Sequence, residues 1–127
     1  MSATIEAQIK SHRDLIAWRK AMDLVVAVYE ITKSFPKEEL YGLTSQVRRA
    51  VVLIPANIAE GQGRRSKPEF RQFLGSARGS LLELDTHLEL ALRLKYLGAA
   101  QYEGINQQVM EVGRIVNGLL RSLASDL

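Results

Sequence analysis

A chain of 127 residues, 46% hydrophobic and 24% charged, has the size and composition of one globular domain with its own buried core. It has no cysteine, which excludes disulfides, thiolate metal sites and thiol nucleophiles and fits a reducing, cytoplasmic setting. The N-terminal MSATIEAQIK shows no apolar core or cleavage signal, and the longest apolar stretch, Ala50 to Ala59, is far shorter than a bilayer span, so neither a leader nor a membrane anchor is expected.

Ser11 and Asp14 stand at capping-box spacing and predict a first helix over about residues 14–33. Leu15, Trp18, Met22, Val25, Tyr29 and Thr32 follow steps of three and four as its packed seam, and Ser34-Phe35-Pro36 stops it. Thr44 is the expected N-cap of a second helix over 44–62, ending at Gly61 or Gly63. Ser66 and Glu69 form a second capping-box pattern for a third helix over 66–97, with Pro68 tolerated in its first turn and Gly98 closing it. Its seam is Phe70, Leu74, Ala77, Leu81, Leu84, Leu88 and Ala91. A fourth helix over 101–125 carries Tyr102, Ile105, Val109, Val112, Val116, Leu119 and Leu123 at the same spacing. No stretch alternates with period two, so no strand is expected. Amphipathic helices with short connections predict an all-α fold: one domain over 1–127, an antiparallel up-down-up-down four-helix bundle.

The second helix is apolar on every side. Val47, Ala50, Val51, Ile54 and Ile58 suffice to face the core, which leaves Val52, Leu53, Pro55, Ala56 and Ala59 elsewhere. Another copy of the protein is the natural cover, so a homo-oligomer is expected, and Pro55 should bend the helix by freeing the carbonyl of Val51. On the third helix, Gly75 and Gly79 stand one turn apart and predict a close approach of a neighbouring helix, across which Asn57 and Glu60 would hydrogen-bond. Both are read as structural, because no base or nucleophile accompanies them.

The run NIAEGQGRRSKPEFRQFLGSARGSLLEL, Asn57 to Leu84, resembles the four-helix-bundle family of proteins encoded by intervening sequences in bacterial 23S rRNA genes, a family that also contains the accessory variability determinant of diversity-generating retroelements. The resemblance extends through Leu15, Trp18 and Ala21, through FPKEELYGLTSQVRRA (Phe35 to Ala50), and through GRIVNGLLRSL (Gly113 to Leu123). It implies a bundle assembled as a ring, usually a pentamer, with nucleic acid as the ligand. It does not distinguish the rRNA-associated branch from the retroelement branch.

Residue chemistry points away from catalysis. His12 and His87 are the only imidazoles, and the chain lacks the repeated Glu-x-x-His pairs of a di-iron bundle, so His87, with Glu83, Asp85 and Glu89 nearby in sequence, is read as a rim side chain. Gly61-Gln62-Gly63 lacks the strand, glycine pattern and lysine of a phosphate loop. No enzyme, metal or cofactor is expected.

Charge is more informative. The net charge is +3, but residues 43–81 hold seven basic and two acidic side chains. Arg64, Arg65 and Lys67 precede or open the third helix, where the dipole already favours anions, and Arg71 follows one turn later. A fold-back near residue 64 would bring Arg48 and Arg49 level with Arg78, making a basic stripe of roughly 20 to 25 Å at about 1.5 Å per residue. In the competing reading Arg49 and Arg78 pair with acids such as Glu60 or Glu83. The expected function is therefore an oligomeric nucleic-acid-binding protein that contacts the backbone of structured RNA or a DNA/RNA hybrid. The alternative is a non-enzymatic scaffold for a protein partner, such as a reverse transcriptase or a ribosome-associated protein.

Overall fold

The protein was described as a computed structural model over residues 10–124. Helix α1 spans Ile16–Thr32, α2 Leu43–Gln62, α3 Lys67–Arg93 and α4 Ala99–Ala124; 3-10 turns at His12–Asp14 and Lys37–Glu39 precede α1 and α2. Among the described residues there is no strand. Each helix packs on its neighbours in the chain, and α1 also packs on α4, closing a four-helix arrangement. The expected last residue of the fourth helix, 125, lies outside the described residues.

Helix ends depart from the sequence expectation at the starts of α1 and α2 and at the end of α3, whereas the Ser66 cap of α3 holds. The Ser11–Asp14 capping box forms, but it closes only the first 3-10 turn; Leu15 is extended at φ −79° and α1 starts after it without a side-chain cap. Thr44 is not the cap of α2. It is buried within the first turn, and the Leu43 N–H is satisfied by Glu39 Oε1 at 3.1 Å. At α3, Ser66 Oγ accepts from the Glu69 N–H at 3.3 Å and donates to Glu69 Oε1 at 3.0 Å. Helix α3 stops at Arg93, before Gly98. Lys95 takes the left-handed conformation, φ 65°, and the Tyr96 N–H reaches back to the Ala91 carbonyl at 2.8 Å, a six-residue closure usually built on glycine. Gly98 instead opens α4, its N–H held by Gln101 Oε1 at 3.2 Å.

The core forms from one stripe of each helix. Val47, Ala50, Val51, Ile54 and Ile58 are fully buried on α2, as are Leu74, Ala77 and Leu84 on α3 and Val116 on α4. On α1 the buried stripe is Ala17, Ala21, Leu24, Val28 and Thr32. The expected seam is thus displaced: Trp18 and Val25 are only half-buried, and Met22 and Tyr29 are each 40% exposed. Small Ala17 and Ala21 face inward, where they permit close helix approach, and the bulkier residues flank the contact.

Two packing expectations on α2 and α3 are also corrected. Pro55 is buried with the core rather than left over for a partner. Gly75 and Gly79 are exposed, and a Cβ added to either would meet nothing within 4 Å, so among the described residues no helix approaches them. Between α2 and α3 the close contact is at Gly61 instead: its added Cβ would stand 2.8 Å from Phe73 Cβ.

Candidate nucleic-acid interface

The α2–α3 connection, residues 63–66, is four residues long. Arg64, Arg65 and Lys67 are exposed there, and Arg71 is half-buried with its Nε buried and without an acceptor among the described residues. Arg64 is partly engaged. It donates to Glu60 Oε1 at 2.8 Å and lies over the Phe73 ring at 4.7 Å. Glu60 is thus held by Arg64, and Asn57 donates to the Leu53 carbonyl of its own helix at 2.8 Å; neither reaches across to Gly75 or Gly79.

The other three arginines sit in two separate places. Arg48 crosses to α1, where its Nε donates to Thr32 Oγ1 at 2.9 Å and its guanidinium stacks on Tyr29 at 4.7 Å. Arg49 is exposed beside it. Arg78 lies in a different groove, between α3 and α4, with Leu81, Leu82, Asp85 and Met110. Arg48, Arg49 and Arg78 do not share a lining, and neither Arg49 nor Arg78 forms an ion pair with Glu60 or Glu83 among the described residues.

Sequence reading missed a groove between α1 and α2, lined by Tyr29, Leu40, Tyr41, Thr44, Ser45, Arg48, Arg49, Val52 and Leu53. Tyr41 is 94% exposed there, next to Leu40 at 49% and Val52 at 41%. A signal was present in KEELYG, where bulky Leu40 and Tyr41 occupy a connection normally made of turn residues. This connection is anchored from below. Glu39 Oε2 accepts from the Tyr96 hydroxyl at 2.9 Å, and Phe35 packs on the Tyr96 ring at 5.7 Å. The Leu43 N–H, followed by that hydroxyl, holds the Glu39 carboxyl below its ordinary range, while the same bond pushes the Tyr96 hydroxyl up.

Among the described residues no three His, Asp or Glu side chains gather to hold a metal ion, and no helix is long and apolar enough to cross a membrane. His12 packs edge-on against Trp18 at 5.0 Å.

Comparison with known proteins places this geometry. The family described as 23S rRNA-intervening sequence protein matches residues 13–118. A crystal structure from Bacteroides thetaiotaomicron, described as a protein of unknown function from the S23 ribosomal protein family, superposes with a TM-score of 0.78 at 25% sequence identity, covering 84% of this chain and 96% of that one. No curated protein matches.

Proposed function

Because the chain belongs to the 23S rRNA-intervening sequence protein family, we propose that it is an oligomeric nucleic-acid-binding protein that grips the backbone of structured RNA or a DNA/RNA hybrid. The observation that carries this reading is the cluster at the α2–α3 connection, where Arg64, Arg65 and Lys67 are exposed within four residues and the positive end of a 27-residue helix adds to their field. Ser66 Oγ already takes the Glu69 N–H, so the first-turn donors are partly satisfied and the side chains, more than the helix end, hold the phosphates. The Arg64–Glu60 pair does not prevent this, since exposed ion pairs contribute only about 0 to 1 kcal/mol and a phosphate competes with the carboxylate. With no exposed aromatic ring at this turn, binding follows charge rather than base identity.

In the same proposal the helices run antiparallel, up-down-up-down, as the short connections require. Copies assemble as a ring, most simply a pentamer, in the cytoplasm, without catalysis or cofactor. A scaffold for a protein partner, a reverse transcriptase or ribosome-associated protein among them, is the second reading, favoured by apolar side chains in water such as Val26 at 69% and Leu82 at 62% exposed.

A salt titration of fluorescent oligonucleotide binding separates the two. Affinity is expected to fall linearly on a log–log plot with a slope of about −0.7 to −0.9 per phosphate contact. Arg64→Glu with Arg65→Glu should weaken all sequences alike and flatten that slope while leaving the circular dichroism spectrum unchanged. Unchanged affinity and slope in the folded double variant would turn the reading to the scaffold.

A further inference from the structure

We propose that the α1–α2 groove is a docking site for an acidic, amphipathic helical segment of another protein, one with apolar side chains at both ends and carboxylates between them. This goes beyond the nucleic-acid reading at Arg64 and Arg65 and does not rest on it.

The groove is ordered along α2. Leu40 and Tyr41 stand ahead of the helix, Thr44 and Ser45 lie in its first turn, Arg48 and Arg49 follow one turn on, and Val52 and Leu53 one turn later. Steps of four keep these pairs on one face. At about 1.5 Å per residue the face from Thr44 to Leu53 is about 14 Å long, and Leu40 and Tyr41 extend it toward three helical turns. Both ends are apolar and in water, with Tyr41 94%, Leu40 49% and Val52 41% exposed. Every charged side chain lining the middle is basic. Glu39, the acid nearest to Thr44 in sequence, is not in the lining and is already occupied by the Leu43 N–H and the Tyr96 hydroxyl.

Two features of the middle point to an arriving carboxylate. Thr44 is 3% exposed, yet its Oγ1 is buried without a hydrogen-bond partner among the described residues. Buried hydroxyls are nearly always bonded, so a polar group is expected to reach it. One turn on, Arg48 is fixed by Thr32 Oγ1 and the Tyr29 ring through a bond that uses only its Nε, and Arg49 is exposed beside it. A hydroxyl and two guanidinium forks within one turn suit planar carboxylates.

The walls decide the form of the occupant. Both are helices, so the groove has no strand edge with which an extended peptide could pair; a helix satisfies its own backbone and is recognised through side chains alone. A nucleic-acid strand carries a phosphate on every nucleotide and would set anions beside Leu40, Val52 and Leu53 as well as beside the arginines. An apolar, acidic, apolar succession matches the groove along its whole length. The connection that carries Leu40 and Tyr41 is held by the Glu39–Tyr96 bond and the Phe35–Tyr96 contact, so these side chains are positioned before a partner arrives. Tyr41 is the natural anchor, since tyrosine is enriched among the few residues that dominate interface energetics.

The test is fluorescence anisotropy of the full-length protein with a labelled synthetic helical peptide of about 14 residues, with leucines at both ends of one face and two glutamates between them. Saturable binding is expected, weakened about tenfold or more when the glutamates become glutamines or the leucines alanines, and equally by Tyr41→Ala or Thr44→Val in the protein. Arg49→Glu should abolish binding of this peptide and give binding to a counterpart with lysines in place of the glutamates, a swap that requires direct contact. Circular dichroism checks each fold; if Thr44→Val loses helicity, the exposed positions Tyr41 and Arg49 carry the test. No saturable binding at about 1 mM peptide, equal binding of the glutamine peptide, or unchanged affinity in folded Arg49→Glu would overturn the proposal. Displacement of the peptide by an oligonucleotide from the Arg64→Glu/Arg65→Glu variant would overturn it in favour of a nucleic-acid groove. A drop in mass by light scattering in Tyr41→Ala without peptide would overturn it in favour of a second copy. The salt slope set by Arg64 and Arg65 is measured without peptide, so the two proposals fail independently.

Discussion

At Gly61 a methyl group would stand 2.8 Å from Phe73 Cβ, 3.0 Å from Phe70 Cδ1 and 3.3 Å from the Phe70 carbonyl. Two of these neighbours belong to the first turn and a half of α3, so relief requires the α2–α3 corner to open. At Gly79 the same methyl meets nothing within 4 Å. Gly61→Ala is therefore expected to destabilise the fold by about 1 to 3 kcal/mol through overpacking. Gly79→Ala should stabilise it by about 0.8 to 1 kcal/mol through helix propensity. Urea unfolding of the two variants checks both signs. Arginine shows the same dependence on surroundings: Arg48 packs on Tyr29 and bonds Thr32, whereas Arg49, next in sequence, stays in water.

Among the elements, the connection between α1 and α2 is held by a carboxylate rather than by a cap on the helix itself. Glu39 accepts from the first residue of α2 and from Tyr96 beyond the end of α3, tying two connections at one end of the molecule together. Both donors favour the charged form, so the folded-state pKa of Glu39 lies below its ordinary 4.5. The stability this contributes is present above 4.5 and is lost as pH falls through the lowered folded value. Thermal melting is thus expected to weaken on acidification below that range, and to weaken less in Glu39→Gln, which starts less stable at neutral pH. A variant whose acid limb matches the wild type would show that other carboxylates set it.

For the molecule as a whole, exposed apolar side chains cluster on parts of the helices that the core does not use. Met22, Val26 and Tyr29 follow one face of α1, and Val52 and Leu53 flank the groove on α2. Assembly that covers the α1 face binds only the folded chain, so the melting temperature should rise with protein concentration. The measurement is a melt across a hundredfold dilution series. A concentration-independent wild-type melt would indicate that this face stays in water.

Periodicity alone was enough to locate the buried stripes of α2, α3 and α4, because Val47, Ile54, Leu74, Leu84 and Val112 recur at helical spacing. The family followed from residue blocks spread along the chain, and the match over residues 13–118 bears it out. On α1 two stripes compete. Ala17 and Ala21 against Trp18 and Met22 is a choice between close and distant helix approach, which the partner helices make. Caps were misjudged for a related reason: Thr44 has the right hydroxyl, but Glu39, five residues away, reaches the same end of α2 once the chain has turned. The clustering of cations at 64–67 was legible because the residues are adjacent. Their separation from Arg48, Arg49 and Arg78, and the groove made by Tyr29 and Tyr41, were decided by tertiary structure, since helix rotation and packing determine which side chains on different elements meet.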